Sequence, residues 1–257
     1  MNTESPWLTV VTVVKDDPIG LEVSASSLRR QSVVDIEYLV IDSSTDSEEV
    51  KRVLADSGSP ESLLQWTEPK GIFSAMNQGL KNATGEYIYF LNAGDSFFND
   101  QVLEELLSLI SSSSPTWVVG LIEIQELSGN SVISSEWDFA TEKRALFARG
   151  RFPPHQGTVM RTAALRSVGG FAPQYDIAAD YAAALALSKV SDPLMTDRVI
   201  ARFVEGGVST SNWKKSFREF HRARREIFTP VGFVAGVEIF RYWMHFGKVY
   251  LARSLKK

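Results

Sequence analysis

The sequence predicts an α/β fold built on a mostly parallel central sheet flanked by helices. Three observations carry that expectation. Short β-branched runs, LTVVTVV at Leu8–Val14 and YLVI at Tyr38–Ile41, lack polar alternation, as strands buried on both faces do. These runs alternate with segments whose apolar residues recur at helical spacing. Each run also stops abruptly in polar residues: Lys15-Asp16-Asp17, Asp42-Ser43-Ser44 and Asn92-Ala93-Gly94-Asp95. Parallel sheets bind ligands beyond the carboxyl ends of their strands. The pattern alone therefore gathers these polar groups on one rim.

The elements follow in order. A strand over Leu8–Val14 ends in the turn before Pro18. A helix over Gly20–Arg30 places Leu21, Ala25 and Leu28 inward. Tyr38–Ile41 is the second strand, and Ser47–Ser57 the next helix, with Val50, Val53 and Leu54 on one face. Leu63–Trp66 reads as a short strand. Ile72–Ala83 is helical, with Ala75, Met76, Gly79, Leu80 and Ala83 as its inner face. YIYFL, beginning at Tyr87, forms a fourth strand, and a helix over Leu103–Ile110 follows. Right-handed crossovers join such strands. Beyond them the pattern changes. Trp117–Gln125 and Ser131–Ser135 read as a hairpin around Ser128-Gly129-Asn130. Ala163–Val168 and Asp180–Leu187 read as helices separated by Gly169-Gly170.

Composition narrows the function. The 257 residues suit one large domain, or a domain with an appendage. A net charge of −4 gives no global sign of nucleic-acid binding. The absence of Cys excludes disulfides and thiol catalysis and fits a reducing compartment. MNTESPW lacks the pattern of a signal peptide, and no run reaches the ~18 apolar residues of a spanning helix. The expected location is the cytoplasm, with contact to the inner face of the cytoplasmic membrane open through the tail. No G-x-G-x-x-G follows the first strand, and no G-x-x-x-x-G-K-[ST] occurs, so neither a standard dinucleotide site nor a P-loop is expected.

Charge is unevenly divided. Residues 210–257 hold eleven Lys/Arg against three Asp/Glu, a net of +8, which leaves −12 on the rest. The expected organisation is a body over 1–209, split near residue 100 into a nucleotide-binding half and an acceptor-side half, and a basic helical tail over 210–257. Within that tail, Phe217, Phe220, Ala223, Arg224 and Ile227 outline one helical face. It suits an interfacial helix on an anionic membrane equally with a helix packed on the body or on a second copy in a homodimer.

Longer motifs carry a resemblance. TVVTVVKDDPIGLEVSASSLRRQSVVDIEYLVIDSSTD, EPKGIFSAMNQGLKNATGEYIYFLNAGD and HQGTVMRTAALRSVGGFAPQYDIAADY resemble the family 2 glycosyltransferases, which have the GT-A fold with a Rossmann-like nucleotide-binding half. The likeness runs from about Pro6 to Ser209 and is greatest to bacterial members in polysaccharide, lipopolysaccharide and exopolysaccharide assembly. It implies inverting transfer from a nucleotide-sugar donor, with a UDP-sugar the first expectation, to a glycan or lipid-linked acceptor. It also implies a divalent metal, Mg²⁺ or Mn²⁺. The Gln-x-x-Arg-Trp motif of the processive members is absent, so addition of a single sugar is expected.

By the same resemblance Asp95 carries the metal role. The family loop is commonly Asp-x-Asp, and here Asn92 and Gly94 replace its other acids. Read locally, Asp95 serves as well to cap a helix. Asp42 is expected at the nucleotide base or ribose, although an Asx-turn explains the same residue. Thr12 and Asp16 are expected to line the same pocket, and Lys70 and Asn77 to lie beside the donor with Asn92. His155 is expected near the donor phosphates or the acceptor. Asp180 aligns with the catalytic base, and a positioned carboxylate suits removal of the acceptor's proton; it also suits a helix cap. Gly206-Gly207-Val208-Ser209 matches a family ending and reads as a cover over the diphosphate or as a turn leaving the domain. Two other classes compete: a nucleotidyltransferase, which should show a Gly-rich phosphate loop, and a non-catalytic nucleotide-sugar or glycan binder.

Overall fold

LTVVTVV forms the central strand β1 (Leu8–Val14), with every residue buried. Its branched side chains fit a pleated surface covered on both faces. The computed structural model describes residues 5–33, 35–57, 62–126, 128–134, 152–204 and 212–229, and several positions within 232–247. β2 (Ile36–Asp42) and β4 (Tyr87–Phe90) flank β1 in parallel, and β3 (Ser62–Trp66) adds outside β2. The crossovers are α1 (Pro18–Arg29), α2 (Ser47–Ser57) and α3 (Ile72–Asn82). α1 begins where Pro18 fits a first helical position and Asp17 accepts the Gly20 N–H at 2.9 Å.

The remaining elements are β5 (Ser96–Phe97), α4 (Val102–Ser113), β6 (Trp117–Gln125), β7 (Ser131–Ile133), β8 (Thr158–Arg161), α5 (Thr162–Ser167), α6 (Ala179–Val190), β9 (Leu194–Val204) and α7 (Trp213–Phe228). All strands join one sheet in the order β3-β2-β1-β4-β8-β6-β9-β5, with β7 paired to β6. The first four strands are parallel. β8 runs antiparallel to both β4 and β6, β9 runs parallel to β6, and β5 runs antiparallel to β9. The expected hairpin is present, with Gln125 opposite Ser131. β5, β8 and β9 extend the sheet beyond the strands read from sequence.

One apolar core lies under α3 and α6 and includes Met76, Phe90, Trp117 and Tyr181; the other lies under α1, α2 and α4 and includes Leu21, Val50, Tyr89 and Leu103. The basic tail begins inside this architecture. In α7, Ala223 is buried in the first core, Phe220 tilts against Tyr181 at 4.5 Å between ring centroids, and Arg224 Nη1 donates to the Tyr181 hydroxyl at 3.1 Å. For 213–228, the face of Phe220, Ala223 and Arg224 is therefore packed on the body. The Gly206–Ser209 ending lies outside the described residues.

Candidate functional site

The site is built from strand ends. β1 leads into Asp16, whose φ of 51° is in the left-handed region that Asp tolerates better than most residues. Its N–H donates to Ser44 Oγ at 2.8 Å, and its carboxylate accepts the Thr45 N–H at 2.7 Å. That backbone bond holds the Asp16 carboxyl below the usual range. The loops after β1 and β2 are thereby tied together. Asp42, at the end of β2, is fully buried. Oδ1 accepts the Ser44 N–H at 2.7 Å and Oδ2 the Ser47 hydroxyl at 2.5 Å. The Asx-turn thus engages the carboxylate expected at the nucleotide, and the neighbouring Ser43 faces the adjacent cleft instead. That cleft has a volume of about 220 Å³, with Val13, Pro69, Ile72 and Ala75 as apolar walls and Lys15 and Ser43 as polar ones.

Two expected donor residues lie deeper. Thr12 is fully buried, donates to Leu91 O at 2.7 Å and accepts from the Tyr38 hydroxyl at 3.2 Å. Burial pushes that phenol up to about 12. Thr12 fastens β1 to β4 beneath the rim. Asn77 is a two-way clamp: Nδ2 donates to Phe171 O at 2.6 Å, and Oδ1 accepts the Phe171 N–H at 2.9 Å. Its amide is committed to the backbone after Gly169-Gly170. Gly170 makes that approach possible, since a Cβ there would lie 2.6 Å from Asn77 Oδ1. Lys70, between the cleft residues Pro69 and Gly71, is exposed and pairs with Glu68 at 2.8 Å, an arrangement that raises its pKa.

The other expected residues meet. After β4, Leu91 and Ala93 continue to bond to Val11 and Val13, and the chain then turns at Gly94, φ 92°. Gly94 N–H donates to Gly20 O at 2.9 Å, while Ser24 Oγ lies 2.8 Å from Asn92 O and 2.9 Å from Asp95 O. α1 thus holds the loop in place. Asn92 Nδ2 lies 3.0 Å from His155 Nε2. The amide can only donate, so Nε2 accepts and the ring proton is assigned to Nδ1. Nδ1 faces Asp180 Oδ2 at 3.6 Å, beyond hydrogen-bond range. Asp95 is 6% exposed, and burial raises its carboxyl to about 7 against the opposing pull of His155.

Asp180 is the second residue of α6; Ala178 occupies the cap position without a side-chain bond. Asp180 Oδ1 takes the Tyr181 N–H at 2.7 Å, and the positive end of the helix dipole favours a carboxylate here. The amides that lead into α6 have another acceptor. Glu219 of α7 receives the Ile177 and Ala178 N–H groups on Oε2 at 2.9 and 3.0 Å. Sequence reasoning missed Glu219 and Ser24. Each lies on an inward helical face, Glu219 with Phe220 and Ala223 and Ser24 with Leu21 and Leu28, and a polar residue among apolar ones was the available signal.

A metal has a partial cradle. Among the described residues no group of three or more His, Cys, Asp or Glu could hold an ion. Asn92 Oδ1, however, is buried without a hydrogen-bond partner. The desolvated Asp95 carboxylate stands three residues away. That oxygen and a carboxylate are the kinds of ligand a Mg²⁺-like ion takes beside phosphate and water.

Comparison with known proteins bears on the fold and the family. An uncharacterized glycosyltransferase of Mycobacterium tuberculosis is 27% identical over 211 residues, covering 81% of this chain and 79% of that protein. A PGL/p-HBAD biosynthesis glycosyltransferase of Mycobacterium bovis is 23% identical over 250 residues, covering 93% and 91%. UDP-Glc:alpha-D-GlcNAc-diphosphoundecaprenol beta-1,3-glucosyltransferase WfgD of Escherichia coli is 30% identical over 113 residues, 44% of each chain. The GT-A fold is shared with Staphylococcus aureus TarS 1-349 in complex with UDP, at TM-score 0.65 and 17% identity, covering 86% of this chain and 66% of that one. It is shared likewise with the mannosyltransferase PcManGT of Pyrobaculum calidifontis in complex with GDP-Man and Mn²⁺, at TM-score 0.66 and 17% identity, covering 90% and 66%. The chain spans 40% of the longer TarS chain. The model of Glycosyl transferase family 2 matches residues 9–169, and the chain belongs to that family.

Proposed function

We propose that this protein transfers a single sugar, with inversion, from a nucleoside-diphosphate sugar to a glycan or lipid-linked glycan acceptor in bacterial cell-surface polysaccharide assembly. The observation that carries the reading is the meeting of Asp180 and His155 with Asn92 and Asp95 at the carboxyl end of β4. The cleft at the ends of β1 and β2 suits a nucleotide base, with apolar walls for its faces and Ser43 and Lys15 for its polar edge.

In this reading the acceptor hydroxyl attacks the anomeric carbon as the bond to the diphosphate breaks. Asp180 takes the hydroxyl proton on Oδ2, its oxygen not bonded to Tyr181 N–H. His155 stands beside that oxygen, with Nδ1 3.6 Å from Oδ2 and its tautomer set by Asn92. Asp95, with Asn92 Oδ1, would hold Mg²⁺ or Mn²⁺. When bound, such an ion offsets charge on the departing diphosphate. The names of WfgD, with UDP-Glc and a diphosphoundecaprenol acceptor, and of the TarS complex with UDP support a UDP-sugar and a lipid-linked acceptor.

The test is a panel of UDP- and GDP-sugars with Mg²⁺, Mn²⁺ or EDTA, read by thermal shift and by donor hydrolysis. One nucleotide class should raise the melting temperature in the presence of metal, because a ligand at 100 times its Kd stabilises by about 2.7 kcal/mol. Absence of both shift and hydrolysis with every donor would sink the reading.

A further inference from the structure

The part of the basic tail beyond α7 presents a second surface. Helical residues within 236–247 lie along the outer side of α7. Tyr242 stacks near His221 at 4.3 Å between ring centroids, and Phe246 lies 5.5 Å from Trp213 and 6.1 Å from Phe217. Those rings seat the helix on the body. Its other side is apolar and open: Ile239 is 42% exposed, Phe240 64%, Trp243 62% and Met244 47%. At 100° per residue these four positions cover an arc of about 140°, a continuous stripe. A monomeric surface rarely leaves such a group together without a use.

Charge decides what the stripe meets. Lys214, Arg218 and Arg225 are exposed on α7 at spacings of four and seven residues, so they form a cationic row beside the Phe217–His221 seat. Residues 210–257 as a whole carry +8. In a two-fold dimer this patch would face its own copy and set like charges against each other. An anionic lipid surface attracts the row and receives Trp, Phe and Met side chains at the depth where aromatic residues settle. No helix of the described residues is long and apolar enough to cross a membrane, so the contact is one of lying on the surface.

We propose that the protein docks on anionic bilayers through the Ile239, Phe240, Trp243 and Met244 face, flanked by Lys214, Arg218 and Arg225. This proposal does not depend on the sugar-transfer reading. Deleting everything after Ser209 would also remove Glu219 from beneath α6, so the test uses exposed point variants of the full chain. Co-sedimentation with phosphatidylcholine vesicles, with and without phosphatidylglycerol, measures binding. The intact protein should bind the anionic vesicles and lose binding in 0.5 M salt, where the screening length is only a few ångströms. Phe240→Ser with Trp243→Ser should abolish binding at an unchanged melting temperature. Arg218→Ser and Arg225→Ser should each weaken it about fivefold. Equal binding by the intact and Phe240→Ser/Trp243→Ser proteins would overturn the proposal. So would a dimer in sedimentation that the double variant disperses while the intact protein ignores anionic vesicles, since the face would then meet a second copy.

Discussion

Two regions of the rim satisfy their polar groups over different distances along the chain. In the loops after β1 and β2, partners are close or lie in the adjoining loop, while beneath them Thr12 reaches Leu91 across 79 residues. Asp42 is held by Ser44 and Ser47, Asp17 caps its own helix, and Asp16 reaches the loop after the neighbouring strand. In the other region the partners come from far away. Asn92 meets His155 across 63 residues, Glu219 supports Ala178 across 41, and Asn77 clamps Phe171 across 94. The loops proposed to face the nucleotide are therefore shaped largely by local turns. The proposed catalytic side exists only once distant segments have come together.

The sharpest probe of this contrast is Asp180→Asn. The nearly isosteric amide keeps the first turn of α6 but cannot take a proton. Turnover with the true acceptor should fall by roughly 10² to 10⁴, as for loss of a general base, with donor affinity and melting temperature unchanged. Near-normal transfer would make Asp180 structural and leave the distant half without a catalytic role.

Glu219→Ala tests the long-range support itself. It takes the acceptor from two buried amides, and each buried bond left unmade costs about 1–3 kcal/mol. Differential scanning fluorimetry should show a drop of several degrees, since 1 kcal/mol moves Tm by about 2–4 °C in chains of this size. Turnover should fall with it, while Glu219→Gln, which keeps an oxygen, should recover most of both. A Glu219→Ala protein that melts like the parent would break the contrast.

Asp95 stands where the two halves meet, and its effect depends on pH. Its folded value of about 7 exceeds the ordinary 3.8, so the folded protein keeps a proton that the unfolded chain has released between those values. This contribution to metal-free stability is full below pH 4 and is lost as pH rises through 7. In EDTA, Asp95→Asn should melt above the parent at pH 8, and the gap should narrow toward pH 5. Parallel Tm curves across that range would show that the carboxylate is not desolvated.

The smallest effect is expected in the local half. Ser47→Ala removes one bond to Asp42 and should cost about 1 kcal/mol, with turnover preserved. A loss as large as that of Glu219→Ala would mean that the local turns are no less cooperative than the distant clamps.

The same contrast governs what the sequence could reveal. β1 was readable because a β-branched run with five Leu or Val residues among seven needs no partner to be recognised, and α2 because its period is local. β9 carries Thr196, Asp197 and Arg198 within LMTDRVIARFV, and its pairing with β6 shifts register, so no period survives. β8 is four residues long and owes its place to β4 and β6. Asn77 was legible as a poor helix former with a polar duty, but its partner is a backbone segment that no local rule points to. His155 and Asp180 came from resemblance; the geometry supplies Asn92 between His155 and the β4 loop, and Glu219 behind α6.

The Glu219 bond also sets a timetable. Ribosomes deliver a chain from its amino end, and domains fold in that order. The oxygen that receives Ile177 and Ala178 N–H belongs to a residue made 42 and 41 positions after them. A nascent chain thus completes its parallel strands while the loop ahead of α6 still lacks its acceptor. Synthesis halted anywhere before residue 219 leaves that loop unfastened, so the proposed proton acceptor is secured only after residue 219 is made. The strands proposed to face the nucleotide are therefore complete before the proposed catalytic carboxylate is fastened.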